Sequence, residues 1–248
     1  MDKVAIVSGS TSGIGYFIAK QLLTAGYFVY INGRNKERCD ASVTNLKDIS
    51  QQVSSLVGDI NDPSYYTAWI SKVKAQHEGI SLLVSNVGTG KYPNNDLNEM
   101  HIFEQAMQEN FISALNFCQG FMDILRPPAA VVLISSIAGI APLGAPIPYA
   151  CAKAALNMYM QEQALRYADK GIRFNCISPG NVMFSGSTWD DKINKNKQAT
   201  LKYIENNVPL NCFVSPQSIA NMLVTLANTP ELTGQNIVID GGQIIGKS

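Results

Sequence analysis

The chain has 248 residues, 46% apolar and 15% charged, with 19 basic and 19 acidic side chains that cancel to no net charge. That balance fits a folded globular protein with a sizeable core and excludes a disordered one. Without a basic run or an overall charge, neither nucleic acid nor a membrane surface is expected as a partner.

The first strand is expected over 3–8, "KVAIVS", and runs directly into "GSTSGIG" and a helix over 14–25. Gly9, Gly13 and Gly15 fall at this strand-to-helix turn. There a tight loop and the free amides of a helix N-terminus can cradle a pyrophosphate, and Ser8, Ser10, Thr11 and Ser12 add hydroxyls. Alone, this G-x3-G-x-G spacing also describes a turn that binds nothing. The second strand, over 27–32, bears on the choice. A binder of the non-phosphorylated dinucleotide carries an acidic residue about 20 positions beyond the glycines. Here no Asp or Glu occurs between Tyr16 and Lys36, and the strand ends in "NGRN" with Arg34. A guanidinium fork suits a 2′-phosphate, so the expected cofactor is NADP.

A helix is expected over 35–47, a strand over 52–58, a helix over 63–77, a strand over 81–86 and a helix over 98–125. The uncharged stretch 129–150 is long enough to cross a bilayer. Gly139, Pro142, Gly144, Pro146 and Pro148 break its second half, so it reads as a strand over 130–135, a loop and a helix start. The next helix, over 148–169, brings Tyr149 and Lys153 to one face, and Ser136 ends the strand before it. Such a set can move a proton to or from an alcohol oxygen: the lysine charge favours phenolate, and the serine holds the oxygen as charge develops. Tyr16 and Lys20 repeat the same spacing, but Lys3 stands where the serine is needed. A strand over 172–178, an irregular stretch over 180–208 read as a substrate lid, a helix over 216–228 and a strand over 236–240 complete the chain.

Strict alternation of apolar strands and amphipathic helices implies one α/β domain over 1–248, a doubly wound, Rossmann-type parallel sheet of about seven strands with helices on both faces. His77 and His101 lack ligand spacing and read as surface helix residues, so no metal is expected. The five cysteines form no CxxC pair, their number is odd, and the first strand leaves no room for a leader. Reduced thiols and a cytoplasmic location follow as expectations. Cys151, between Tyr149 and Lys153, reads as a small core residue, with a redox-sensitive thiol as the alternative.

Taken together these stretches resemble the compact branch of the short-chain dehydrogenase/reductase family over essentially the whole chain. "SGSTSGIG" is similar to its TGxxxGxG loop, "GDI" at 58–60 to its adenine segment, and "SNVG" at 85–88 to its NNAG, with Ser85 and Val87 as substitutions. Asn110 in "MQENFISA" matches the fourth member of its catalytic set, and "SPG" at 178–180 its nicotinamide turn. The resemblance implies Ser136, Tyr149, Lys153 and Asn110 as catalytic residues. It implies cofactor contacts from Gly9, Ser10, Thr11, Ser12, Gly13, Ile14, Gly15, Arg34, Asp59, Ile60, Asn86, Val87, Gly88, Tyr149, Lys153, Pro179 and Gly180. It further implies a ketone or secondary-alcohol substrate, and a homotetramer. Phe184 stands where the family often has threonine, and "NCFVSPQSIA" at 211–220 replaces an arginine-containing stretch. Met183, Phe184 and Trp189 with Lys192, Lys195, Lys197 and Lys202 would suit a carrier-linked 3-oxoacyl thioester, although the lysines also fit a solvated helix face and sugar, steroid or small-diketone substrates stay open. The alternative is a non-catalytic NADPH sensor of the same fold, which the complete catalytic set argues against.

Overall fold

The computed structural model describes residues 3–92 and 99–246. Seven strands form one parallel sheet in the order β3-β2-β1-β4-β5-β6-β7. They are β1 (Val4–Val7), β2 (Phe28–Gly33), β3 (Val53–Val57), β4 (Ile80–Ser85), β5 (Leu125–Ile134), β6 (Ile172–Pro179) and β7 (Asn236–Ile239). All four residues of β1 are buried, as are the last six of β5, which is why these runs are apolar throughout and do not alternate.

Neighbouring residues still face opposite layers. Val4 and Ile6 join Trp69, Phe117, Phe121, Leu156 and Phe174 on one face, while Ala5 and Val7 join Ile18, Leu22, Leu46, Ile219 and Leu223 on the other. The first layer is closed by α3 (Ser64–Lys74), α5 (Ser113–Phe121) and α6 (Ile147–Tyr167). The second is closed by α1 (Gly13–Thr24), α2 (Lys36–Lys47) and α9 (Pro216–Asn228). Strand order reverses between β1 and β4. Ligands of such sheets sit in the crevice beyond the carboxyl ends at this reversal, and the loops after β1 and β4 meet there.

Four expectations need correction. The helix expected over 98–125, whose first residue lies outside the described ones, is instead α4 (Met100–Met107), a π-helical turn over Gln108–Ile112, α5, and a 3-10 turn over Met122–Ile124. The strand expected at 130 begins at Leu125, because exposed "RPP" continues the extended backbone ahead of the apolar run. The stretch 180–208 is not irregular throughout, for it holds α7 (Thr188–Lys195) and α8 (Lys197–Asn207). Both helices carry start signals: the Ser187 hydroxyl accepts from the Asp190 amide and the Asn196 side chain from the Ala199 amide. His77 is not an open surface residue. Its ring lies 4.5 Å from that of Phe28, and both ring nitrogens are buried without a hydrogen-bond partner among the described residues.

Candidate active site

The loop after β1 is held by its own polar groups. The Ser8 hydroxyl accepts from the amides of Asn86 (2.9 Å) and Val87 (3.3 Å), and Asn86 Nδ2 donates to the carbonyls of Ser8 (3.2 Å) and Gly9 (3.1 Å). Gly9 and Gly13 have φ of +58° and +57°, a conformation other residues adopt only under strain. Gly15 serves packing, not ligand approach: a Cβ there would stand 2.5 Å from the Gly9 carbonyl oxygen. The reading of Ser10 as a phosphate donor is likewise corrected. It is fully buried, its hydroxyl donates to the Val7 carbonyl (2.6 Å) and it accepts from the Asn32 amide (3.0 Å). Thr11 and Ser12 remain available on a cavity wall.

That cavity, about 500 Å³, is lined by Gly9, Thr11, Ser12, Arg34, Asp59, Ile60, Asn86, Val87 and Gly88. Arg34 is 83% exposed and reaches Asp59 only at 3.9 Å, so its fork is free to take another anion. A second guanidinium stands beside it. Arg38, on α2, lines the same wall and donates to the Ser12 hydroxyl at 3.3 Å. Sequence reasoning missed Arg38, although it stands four residues beyond Arg34 in "NGRNKER".

Through Asn86, Gly88 and Thr89 the first cavity continues into a slot of about 130 Å³ lined by Ile14, Ser136, Tyr149, Lys153, Pro179 and Gly180. A Cβ on Gly88 would lie 2.7 Å from Asn110 Oδ1 and 3.1 Å from Lys153 Nζ, so the lack of a side chain there lets these two groups approach the loop after β4. The lining of this track could hold a dinucleotide, with its adenosine end toward the two arginines and its nicotinamide end in the slot. The slot opens in turn to a third cavity of about 700 Å³, which shares Ser136, Tyr149, Gly180 and Val182 with it. Phe184, Trp189 and Lys192 line this cavity, with Lys192 Nζ 4.1 Å from the centre of the Trp189 ring. Met183, Lys195, Lys197 and Lys202 do not line it, so of the four expected lysines only Lys192 remains, joined on the wall by Lys91. Cys151 is not the core residue expected: it is exposed and lines none of the three.

The Tyr149 phenol hydrogen-bonds the Ser136 side chain. Lys153 is 3% exposed, its Nζ donates to the Ile134 carbonyl at 3.0 Å and it lies 5.8 Å from the centre of the Tyr149 ring. The expected lowering of Tyr149 by Lys153 is not what the residues of the site produce. Burial raises the phenol above its ordinary value, and the Ser136 hydrogen bond only partly offsets this. Lys153 itself is brought down to about 8 by burial. Asn110 sits in the π-helical turn, fully buried. Its Oδ1 accepts from the Thr89 amide (3.0 Å), and its Nδ2 donates to the Tyr92 hydroxyl (3.0 Å) and the Ala106 carbonyl (3.2 Å). Tyr92, not singled out in the sequence, also donates to the Glu109 carboxylate and lines the third cavity.

The lowered Lys153 has a measurable consequence. Below pH about 8 the folded chain holds an ammonium that burial disfavours, while the unfolded chain stays protonated to about 10.4. The unfolded state therefore binds more protons in between, and stability rises with pH across that window. Urea unfolding should show a gain of about 2 kcal/mol between pH ~7.5 and ~9.5 in the native chain relative to Lys153→Met. Parallel pH profiles would contradict the burial assignment.

Comparison with known proteins agrees with this geometry. Residues 3–197 match the short chain dehydrogenase family. The 3-oxoacyl-[acyl-carrier-protein] reductase of Chlamydia trachomatis is 30% identical over 255 residues, covering 98% of this chain and 97% of the relative. L-sorbose reductase from Gluconobacter frateurii, solved with NADPH and L-sorbose, superposes with a TM-score of 0.89 at 26% identity over 98% of this chain and 97% of that one. The 3-oxoacyl-[acyl-carrier protein] reductase of Brucella melitensis, in complex with NAD, gives 0.88 at 25% identity over 100% and 99% of the two chains. With four-fifths of its length inside that match and the sheet order of the fold, the chain belongs to the short-chain dehydrogenase/reductase family, as an oxidoreductase acting on alcohol or ketone groups.

Proposed function

We propose that the chain is an NADP(H)-dependent enzyme that interconverts ketones and secondary alcohols, with Tyr149 as acid and base. The observation that carries this reading is the junction. Ser136 and Tyr149 line both the dinucleotide slot and the large cavity, so a carbonyl held there meets the phenol and the cofactor ring together. A reduced dinucleotide held by the residues of the track would supply a hydride for the carbonyl carbon. Ser136 donates to the carbonyl oxygen as negative charge grows on it, and Tyr149 passes it the phenolic proton, which completes the alcohol. Lys153 holds positive charge beside the phenolate that remains, and the Asn110 region stands behind the lysine on the path by which the proton is replaced.

The preference for NADP is supported by the pairing of Arg34 with Arg38 and by the lack of a carboxylate at the end of β2. Among substrates, a 3-oxoacyl thioester is favoured by the chlamydial relative and by Lys192, and a keto-sugar by the likeness to L-sorbose reductase. The homotetramer is supported by exposed Met158 and Leu165 on α6 and Val238 on β7. The test is absorbance at the reduced-nicotinamide band with NADPH or NADH and a panel of ketones. The expected result is ketone-dependent oxidation with NADPH favoured by about tenfold or more. A chain that binds NADPH by fluorescence but turns over no ketone or alcohol is the non-catalytic sensor, and the proposal falls.

A further inference from the structure

Resting on the NADP(H) reading above, we infer that the Phe184 ring and the cofactor diphosphate compete for one place, the bare side of Gly13, so that this residue of the substrate wall sets the affinity for the dinucleotide. A Cβ on Gly13 would stand 2.8 Å from Cε2 and 3.0 Å from Cζ of Phe184, so the ring lies directly on that glycine. The missing side chain of such a glycine is what lets the backbone approach a diphosphate. Gly13 is also the first residue of α1, whose opening amides the Ser12 side chain does not cap and whose first turn holds no acid. Those amides and the helix dipole favour an anion, and an apolar ring offers them no acceptor. The cavities agree. The dinucleotide cavity is lined by Gly9, Thr11 and Ser12 and the slot by Ile14, while Gly13, between them in the chain, lines neither.

The ring can leave at little cost, because it packs into neither of the two cores. Its backbone is held on both sides. Val182 pairs with Val214, the Met183 amide donates to the Val214 carbonyl at 3.0 Å, and the Ser187 amide donates to the Phe184 carbonyl at 3.0 Å. The Phe184 amide in turn donates to the Ser187 hydroxyl at 3.3 Å. With the main chain fixed, the ring moves by rotation about its own side-chain bonds, from one staggered position to another. The space open to it is the large cavity, which it already lines beside Trp189. Apparent affinity for the dinucleotide is lowered by the fraction of chains whose ring is on the glycine. A side chain too short to reach Gly13 should therefore raise that affinity.

The test measures dissociation constants by calorimetry for NADP⁺ and for 2′-AMP, which carries the phosphate for the arginines and no diphosphate. In Phe184→Ala, NADP⁺ should bind about threefold to tenfold more tightly, and 2′-AMP should stay within about 1.5-fold of the native chain. A second readout keeps the phenyl ring. With the nine phenylalanines replaced by 4-fluorophenylalanine, the fluorine signal absent from Phe184→Leu belongs to this ring. That signal should shift with NADP⁺ and hold still with 2′-AMP, so the claim survives an alanine variant that fails to fold. Three results overturn the inference and leave the reductase reading standing: NADP⁺ binding unchanged or weakened in a Phe184→Ala chain that still binds 2′-AMP, an equal gain for both ligands, or a fluorine signal that ignores NADP⁺ or follows 2′-AMP equally. A native chain that binds no NADP⁺ overturns both.

Discussion

Tyr149→Phe should lower kcat for ketone reduction by about 10³-fold and leave the NADPH dissociation constant within about twofold. The substitution keeps the ring that lines the slot and the large cavity and deletes only the hydroxyl hydrogen-bonded to Ser136. Loss of a positioned general acid costs about 10²–10⁴ in rate, and the other hydroxyls at that junction, those of Ser136 and Thr89, are aliphatic alcohols and weaker acids than a phenol. Lys153 is turned to the Ile134 carbonyl, and Tyr92 is tied to Glu109 and Asn110. Burial raises the Tyr149 phenol, so it is protonated at neutral pH. That suits reduction, which needs the acid, and it makes alcohol oxidation rise with pH as the base form appears. The mutant should therefore lose the rise with pH along with the rate. Retained turnover in Tyr149→Phe, or an unchanged pH profile for oxidation, would remove Tyr149 from the chemistry.

The sheet was readable because its inner strands are apolar without alternation. "VAIV" and "AAVVLI" admit few arrangements other than a strand covered on both faces. The meeting of the glycine loop with Ser136, Tyr149 and Lys153 was readable for the same reason, since a parallel sheet brings every strand's carboxyl end to one edge. Three features depended on tertiary contacts that local pattern does not encode. The π-helical turn at Asn110 inserts one extra residue into a continuous amphipathic run, and nothing in "MQENFISA" marks it. Ser10 has the residue type of a phosphate donor, but the bonds to Val7 and Asn32 that occupy it appear only once β1 and β2 are paired. Gln243 lies just past the last strand and reaches the site because Asp240 turns the tail back. The helices α7 and α8 are a different case: their caps at Ser187 and Asn196 were legible, and the glycine- and asparagine-rich composition around them obscured the signal.

Arg34→Ala should weaken NADPH binding by about 10- to 100-fold and leave NADH within about twofold, and adding Arg38→Ala should weaken NADPH further. The arithmetic rests on charge-assisted hydrogen bonds at about 1.5–3 kcal/mol each. Arg34 gives up little on binding a phosphate, since it is 83% exposed and its approach to Asp59, at 3.9 Å, is too long for a strong pair. Arg38 must exchange its bond to the Ser12 hydroxyl, so its separate removal should cost less than that of Arg34. If both forks grip one phosphate, the losses will not be additive, and a double-mutant cycle on NADPH should show coupling that is absent for NADH. The wall is open to solvent at Arg34, so NADPH affinity should also fall with rising salt more steeply in the native chain than in the double variant. Equal losses for NADPH and NADH would mean that the arginines shape the adenosine cavity without reading the 2′-phosphate. In that case Asp59, alone among the acidic groups beside Arg34 on that wall except for Glu109 at its far end, becomes the group to test for the ribose.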